Sequence, residues 1–102
     1  MTQPLRLGIA GLGTVGTGLV KIVQREAALI AQRTGRQVTI VAVSARTRSK
    51  DRGVDLGAYD WEDDPVALAR RDDVDIFVEL MGGSDGPAKA AVETALAGGK
   101  DV

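Results

Sequence analysis

An α/β fold built on a parallel sheet with flanking helices is predicted by three features of this 102-residue chain. Short apolar or β-branched runs alternate with amphipathic stretches, glycines punctuate the junctions, and within each run polar and apolar residues scarcely alternate. Strands of that kind are buried on both faces, as in a parallel sheet covered by helices. Parallel neighbours need a crossover between them, and the amphipathic stretches supply it as right-handed βαβ connections.

The first run, Leu5 to Ala10 (LRLGIA), is interrupted only by Arg6 and has the length of a buried strand. From Thr14 to Arg33 the apolar residues Val15, Leu19, Ile22, Val23 and Ile30 recur at helical spacing, with Lys21, Gln24, Arg25 and Gln32 largely between them. This long amphipathic helix stops near Gly35. Val38 to Ala45 (VTIVAVSA) is rich in β-branched residues and reads as a second buried strand. Between Lys50 and Trp61 the turn signals Gly53 and Gly57 leave room for at most a short strand near Tyr59.

Asp64 and Pro65 suit the N-cap and first position of a short helix over Pro65 to Arg71, with two arginines at the favourable end of its dipole. Asp75 to Leu80 (DIFVEL) is a third strong strand. A helix from about Pro87 to Leu96 carries the apolar stripe Ala88, Ala91, Val92, Ala95 and Leu96, and Gly98 and Gly99 end it. Lys100 to Val102 reads as the entrance to another strand, so residues 1–102 are expected to be one incomplete, truncated domain of a longer enzyme. No repeat, linker or low-complexity tract divides the sequence.

A hydrophobic fraction of 44% with 26% charged residues fits a globular chain rather than a disordered one. Thirteen basic and fourteen acidic residues leave a net charge of −1, which offers no broad attraction to nucleic acid or anionic lipid, so any anion site is local. Three aromatic residues, Tyr59, Trp61 and Phe77, are too few for a base-stacking platform. With neither cysteine nor histidine, the usual zinc ligands, a thiolate nucleophile and the commonest general base are missing, and no metal site is expected. No apolar run approaches the roughly 20 residues that span a bilayer, and no signal-peptide pattern opens the chain, so a cytoplasmic location is expected.

Gly11-Leu12-Gly13-Thr14-Val15-Gly16 fits G-x-G-x-x-G and stands between the first strand and the first helix. That is the context of the dinucleotide fingerprint of a Rossmann-like fold. Gly11 allows the tight turn, Gly13 clears the approach of a pyrophosphate to the backbone, and Gly16 lets helix and strand pack closely. Amides at the helix start face the phosphates and the helix dipole adds attraction. Glycines used for conformational reasons alone are the competing explanation. A Walker loop is excluded, because no Gly-Lys-Ser/Thr follows.

An NAD-selective site places Asp or Glu at the end of the second strand, whereas a ribose 2′-phosphate calls for a cation. Here the strand runs into Ser44-Ala45-Arg46-Thr47-Arg48-Ser49-Lys50, with no acid before Asp51. NADP is therefore expected over NAD. Arg46 is the first candidate for the phosphate, and Arg48 and Lys50 are weaker ones. A solvated basic loop is the competing reading.

After the third strong strand, Gly82 and Gly83 would let a loop approach the nicotinamide ribose. Glu79 is either a ribose hydrogen-bonding group or simply a hydrated or ion-paired carboxylate. Tyr59 and Trp61 are expected to cover an edge of the core. Glu62, Asp63 and Asp64 read as a helix-start arrangement, and Asp72, Asp73 and Asp75 as a polar turn. No catalytic acid–base pair stands out.

With LRLGIA followed by GLGTVG, a basic end to the second strand, and VELMGG followed by Pro87-Ala88 and later Gly99-Lys100, the chain resembles the N-terminal NAD(P)-binding domain of homoserine dehydrogenase over essentially its whole length. The resemblance implies an oxidoreductase that interconverts homoserine and aspartate 4-semialdehyde with NAD(P), on the route to threonine and methionine. It implies pyrophosphate binding by Gly11 to Gly16, with Leu12, Thr14 and Val15 near the cofactor, and Arg46 matches the family's basic residue. The family's Thr-Ala-Asn-Lys motif, substrate carboxylates and catalytic lysine lie beyond this sequence, and Lys100 is not that lysine. Cofactor binding without hydride transfer is thus what this portion alone is expected to retain. A homo-oligomer is expected of the full-length enzyme, with contacts largely outside this sequence. The alternatives are a stand-alone non-catalytic dinucleotide-binding or redox-sensing module, and an oxidoreductase acting on another semialdehyde or a sugar.

Overall fold

The computed structural model describes residues 4–46, 52–81 and 87–102. The elements run β1 (Leu5–Ala10), α1 (Thr14–Thr34), β2 (Val38–Ser44), β3 (Asp60–Trp61), α2 (Pro65–Arg70), β4 (Ile76–Glu79) and α3 (Pro87–Ala97). The four strands form one sheet in the order β3-β2-β1-β4, with every pairing parallel. Beyond β4 the Phe77 N–H donates to the Asp101 carbonyl at 2.9 Å, and Asp101 bridges Ile76 in parallel, which gives Lys100 to Val102 the strand-entrance character expected of it.

The sheet is buried on both faces. Leu7, Ile9, Ile40 and Val43 pack with Leu12, Val20 and Val23 beneath α1. Ala10, Ala42 and Phe77 pack with Leu68, Ala69, Val74, Ala91 and Ala95 beneath α2 and α3. In β2 the pairing slips, because Leu7 faces Ile40 whereas Gly8 faces Ala42. Val41 is the extra residue of this bulge and joins Ala42 on the α2–α3 face, while Ile40 and Val43 stay on the other. At Gly8 a β-carbon would stand 3.0 Å from Val74 and 3.1 Å from Leu68, so the bare backbone is what lets those side chains lie directly on β1.

Helix α1 agrees only in part with the sequence reading of which face it buries. Val23 is buried as expected and Leu19 packs against the same cluster, but Val15 and Ile22 are 68% and 47% exposed, and Gly16 and Val20 complete the buried face. Gly16 packs against the Gly11 carbonyl, and that contact sets the rotation of the helix about its axis. Glu26 leaves helical geometry at φ −114°, ψ 15°, so the helix is kinked rather than continuous. In α3, Leu96 likewise lies exposed, and Ala88, Ala91 and Ala95 make the contact. Alanines allow this close approach of α3 to the sheet.

Asp64 caps α2, its Oδ1 accepting from the Val66 N–H at 2.9 Å with Pro65 at the first helical position. Tyr59 and Trp61 pack against the α1-side cluster, as edge covers would. The polar residues form ion pairs between elements. Arg6 reaches Asp75 through Nη2 to Oδ1 at 3.0 Å and Nε to Oδ2 at 3.1 Å, and its backbone N–H donates to Oδ2 at 2.9 Å. Arg71, which ends α2, donates to Asp73 at 2.8 Å and to Asp60 at 2.7 Å and stands 3.7 Å from Glu62. The hydrogen bond from Arg71 holds the Asp73 carboxyl below the ordinary carboxylate range, and the one from Arg6 does the same for Asp75.

Two outcomes follow for stability. Phe77→Ala empties a fully buried site and is expected to cost about 3–5 kcal/mol in equilibrium urea unfolding. Asp73 and Asp75 titrate lower folded than unfolded, so their stabilising effect is present above the ordinary value of about 4 and is lost as pH falls through the folded values. The urea midpoint is expected to hold from neutrality to about pH 5 and fall below about pH 4. The combined Asp73→Asn and Asp75→Asn variant should start lower and fall less steeply.

Candidate functional site

Three strand ends meet at the carboxyl edge of the sheet, since Ala10 pairs with Ser44 on one side and with Glu79 on the other. The chain turns there from β1 into α1. The Gly11 N–H donates to the Ser44 carbonyl at 2.8 Å, and the Leu80 N–H donates to the Ala10 carbonyl at 2.8 Å. The first residues of the turn are thereby fastened to both neighbouring strands.

Two glycines of the loop are required by the chain itself. Gly11 has φ +101°, and a β-carbon on it would stand 2.6 Å from the Leu80 carbonyl carbon and 2.7 Å from the Met81 nitrogen. A β-carbon on Gly16 would overlap the Gly11 carbonyl oxygen outright. Gly13 is different. Its φ of −77° and ψ of −157° suit any residue, and a β-carbon there would meet nothing within 4 Å.

Gly13 is also the N-cap of α1, and no side chain caps the helix start. The first-turn N–H groups of an α-helix have no acceptor within the helix. Gly13, Thr14 and Val15 are exposed, and no acidic residue lies in the first turn to oppose an anion. Leu12 is buried beneath α1, its carbonyl accepting from the Thr17 hydroxyl at 3.0 Å, and the Gly13 carbonyl accepts from the Thr17 N–H at 2.9 Å. The loop therefore presents a fixed row of backbone donors with an open face, at the positive end of a helix dipole. A pyrophosphate fits such a cradle, and a side chain at position 13 would stand in it.

Among the other expected site residues, Arg46 is exposed two positions beyond buried Ser44, whose carbonyl accepts from the Gly11 N–H. Arg48, Lys50, Gly82 and Gly83 lie outside the described residues. Glu79 turns back on its own strand end, with Oε1 accepting from the Met81 N–H at 2.9 Å, so this carboxylate shapes the exit of β4. The sequence reading missed two contributors, the Leu80–Met81 backbone that walls Gly11 and the Thr17 hydroxyl that holds the Leu12 carbonyl. A hydroxyl just after the last glycine was the available signal for the second.

Asp63 accepts from the Trp61 indole N–H at 2.9 Å, which with the Asp64 cap and Glu62 beside Arg71 gives each acid of that cluster a place in the fold. Among the described residues no three His, Cys, Asp or Glu side chains gather as a metal site, and no helix is long and apolar enough to cross a membrane.

Comparison with known proteins gives a consistent picture. The family model described as homoserine dehydrogenase, NAD binding domain, matches residues 11–102. The homoserine dehydrogenase of Neisseria gonorrhoeae is 39% identical over 100 residues, covering 98% of this chain and 22% of that protein. That of Methylobacillus glycogenes is 37% identical, with 98% and 24% covered. Among solved structures, S. aureus homoserine dehydrogenase superposes with a TM-score of 0.87 at 32% identity, over 98% of this chain and 25% of that one. The enzyme from Thiobacillus denitrificans gives 0.84 at 35%, over 96% and 22%. The chain thus spans about a quarter or less of the length of the relatives it matches.

The glycines should separate by their effect on folding. Gly16→Ala is expected to destabilise by about 1–3 kcal/mol, because the Gly11 backbone must shift. Gly13→Ala should change stability by less than about 1 kcal/mol, a poorer N-cap being offset by a stiffer unfolded chain. Thermal and urea unfolding of the two variants read this difference.

Proposed function

The chain belongs to the homoserine dehydrogenase NAD-binding domain family, and on that premise we propose that it is the cofactor-binding part of an oxidoreductase interconverting L-homoserine and L-aspartate 4-semialdehyde, with NADP preferred over NAD. This reaction belongs to the aspartate-derived route to threonine and methionine. The observation that carries the reading is Gly13, a glycine that neither its backbone angles nor its neighbours in the chain require, at the open start of a 21-residue helix. A ligand group lying against the backbone accounts for it.

In this reading the amides of Gly13 to Gly16 hold the pyrophosphate, Leu12 and Thr17 fix the loop that presents them, and Thr14 and Val15 line the cofactor. Arg46 takes the ribose 2′-phosphate, with Arg48 beside it in sequence. Gly82 and Gly83 give the nicotinamide ribose a side-chain-free approach. When bound, the nicotinamide ring supplies hydride donor and acceptor chemistry. The described residues contribute binding and orientation to that chemistry, and the remainder of the full-length enzyme places homoserine or its semialdehyde against the ring. Association of full-length subunits into a homo-oligomer is part of the same reading. A non-catalytic sensing module is less favoured, because the matched relatives are dehydrogenases.

Calorimetric titration at one fixed salt concentration tests the assignment. Gly13→Ala is expected to weaken NADPH and NADH alike, by about tenfold or more, with the fold intact. Arg46→Ala is expected to weaken NADPH by about 10- to 100-fold, the range of one charge-assisted hydrogen bond, and NADH little. Unchanged binding by folded Gly13→Ala would overturn the loop assignment. Equal losses for both cofactors in Arg46→Ala would overturn the ribose assignment.

A further inference from the structure

Gly11 lies between two other stretches of backbone with no side chain in the way. On one side a β-carbon on it would overlap the Leu80–Met81 peptide, and on the other its carbonyl occupies the place of a β-carbon on Gly16. The Leu80 side chain spans both, its Cδ1 standing 3.9 Å from that same position at Gly16. Close-packed groups pass a displacement on rather than absorb it. The seating of the Leu80–Met81 peptide therefore sets where Gly11 lies and, through Gly11, how the start of α1 is placed.

Two hydrogen bonds seat that peptide. The Leu80 N–H donates to the Ala10 carbonyl at 2.8 Å, which continues the sheet by one bond. The Met81 N–H lies beyond the ladder, because the pairing of β4 with β1 ends at Glu79 opposite Ala10. Its acceptor is the Glu79 side chain, with Oε1 at 2.9 Å. Glu79, Leu80 and Met81 are all half-buried, so losing this acceptor leaves a donor that water does not fully satisfy. An ionised carboxylate accepting an N–H also makes a bond roughly twice as strong as a neutral acceptor does. The side chain thus fixes the one peptide that walls Gly11.

We propose that Glu79 is a positioning residue for cofactor binding: by accepting the Met81 N–H it holds the Leu80–Met81 wall against Gly11 and keeps the amides at the start of α1 aligned. The proposal rests on the dinucleotide reading of the glycine loop. Charge alone argues for the opposite effect. A hydrated carboxylate at the edge where a pyrophosphate binds repels it, so removing such a group strengthens binding. Removing a positioning group weakens binding, and by the same factor for NADH and NADPH, because the loop meets the part that the two cofactors share. The sign of the change separates the two roles, and its equality for the two cofactors separates Glu79 from the ribose end of the site.

Calorimetric titration of the wild-type protein, Glu79→Ala, Glu79→Met and Glu79→Gln with NADH and with NADPH reads that sign. Glutamine keeps an oxygen acceptor at the same reach, whereas methionine keeps the length without one. Glu79→Ala and Glu79→Met are expected to weaken both cofactors about 5- to 10-fold with their ratio unchanged, and Glu79→Gln is expected to bind at least as tightly as the wild-type protein. A second measurement needs no cofactor and no destabilising variant. In an NMR pH titration the Met81 and Gly11 amide shifts are expected to follow the titration of the Glu79 carboxylate, and to lose that dependence in Glu79→Gln. Binding by Glu79→Ala as tight as that of the wild-type protein or tighter overturns the proposal, and so do an equal loss in Glu79→Gln and amides at Met81 and Gly11 that ignore the carboxylate. A wild-type protein that binds neither cofactor overturns the dinucleotide reading and this inference with it.

Discussion

The close approach of the first helix to the first strand governs the rest of the molecule. Between Ala10 and Thr14 the chain reverses beneath α1 with Gly16 laid against the Gly11 carbonyl, where a single methyl group would not fit. That contact fixes which face of α1 meets the sheet, and Val20 and Val23 follow it into the core while Val15 and Ile22 turn outward. It also aims the helix start at the space above the strand ends. Hydrogen bonds from Gly11 to Ser44 and from Leu80 to Ala10 tie the turn to β2 and β4, so all three strand ends share one rigid edge.

Much of the architecture was legible because its signals are local. The apolar runs at Leu5–Ala10, Val38–Ser44 and Ile76–Glu79 are buried from both sides, and such runs announce themselves without alternation. Asp64-Pro65 marked the start of α2 because both residues act within one turn. The buried face of α1 was only half legible, at Leu19 and Val23, for a physical reason. Periodicity counts apolar residues, whereas the face was chosen by a glycine, which carries no hydrophobic signal. The two-residue strand β3 falls where a short strand near Tyr59 was expected, whereas the bulge at Val41 arises in the pairing of β2 with β1 and left no pattern of its own.

Long-range polar pairs were equally hidden. Arg6 and Asp75 are separated by 69 positions and looked like an interruption in a strand and a polar turn. Arg71 read as a residue favourable to the α2 dipole, and in the fold it joins β3 to the turn before β4 through Asp60 and Asp73. For the candidate site, the glycine pattern indicated where the loop between β1 and α1 lies. Spacing could not distinguish glycines needed by the chain from a glycine left bare for something else. That distinction came from the space around each one, and it singles out Gly13.

A net charge of −1 leaves the whole molecule without a field that would draw an anion, so in the proposed reading anion recognition at this edge rests on oriented amides and on individual guanidinium groups. In the proposed reading a dinucleotide lies across the first turn of α1 and reaches the end of β2. Backbone amide NMR shifts recorded during an NADPH titration test it residue by residue. The largest changes are expected at Gly11 to Gly16 and at Arg46, with the amino ends of the strands little affected. Saturable binding that leaves those amides unmoved would contradict it.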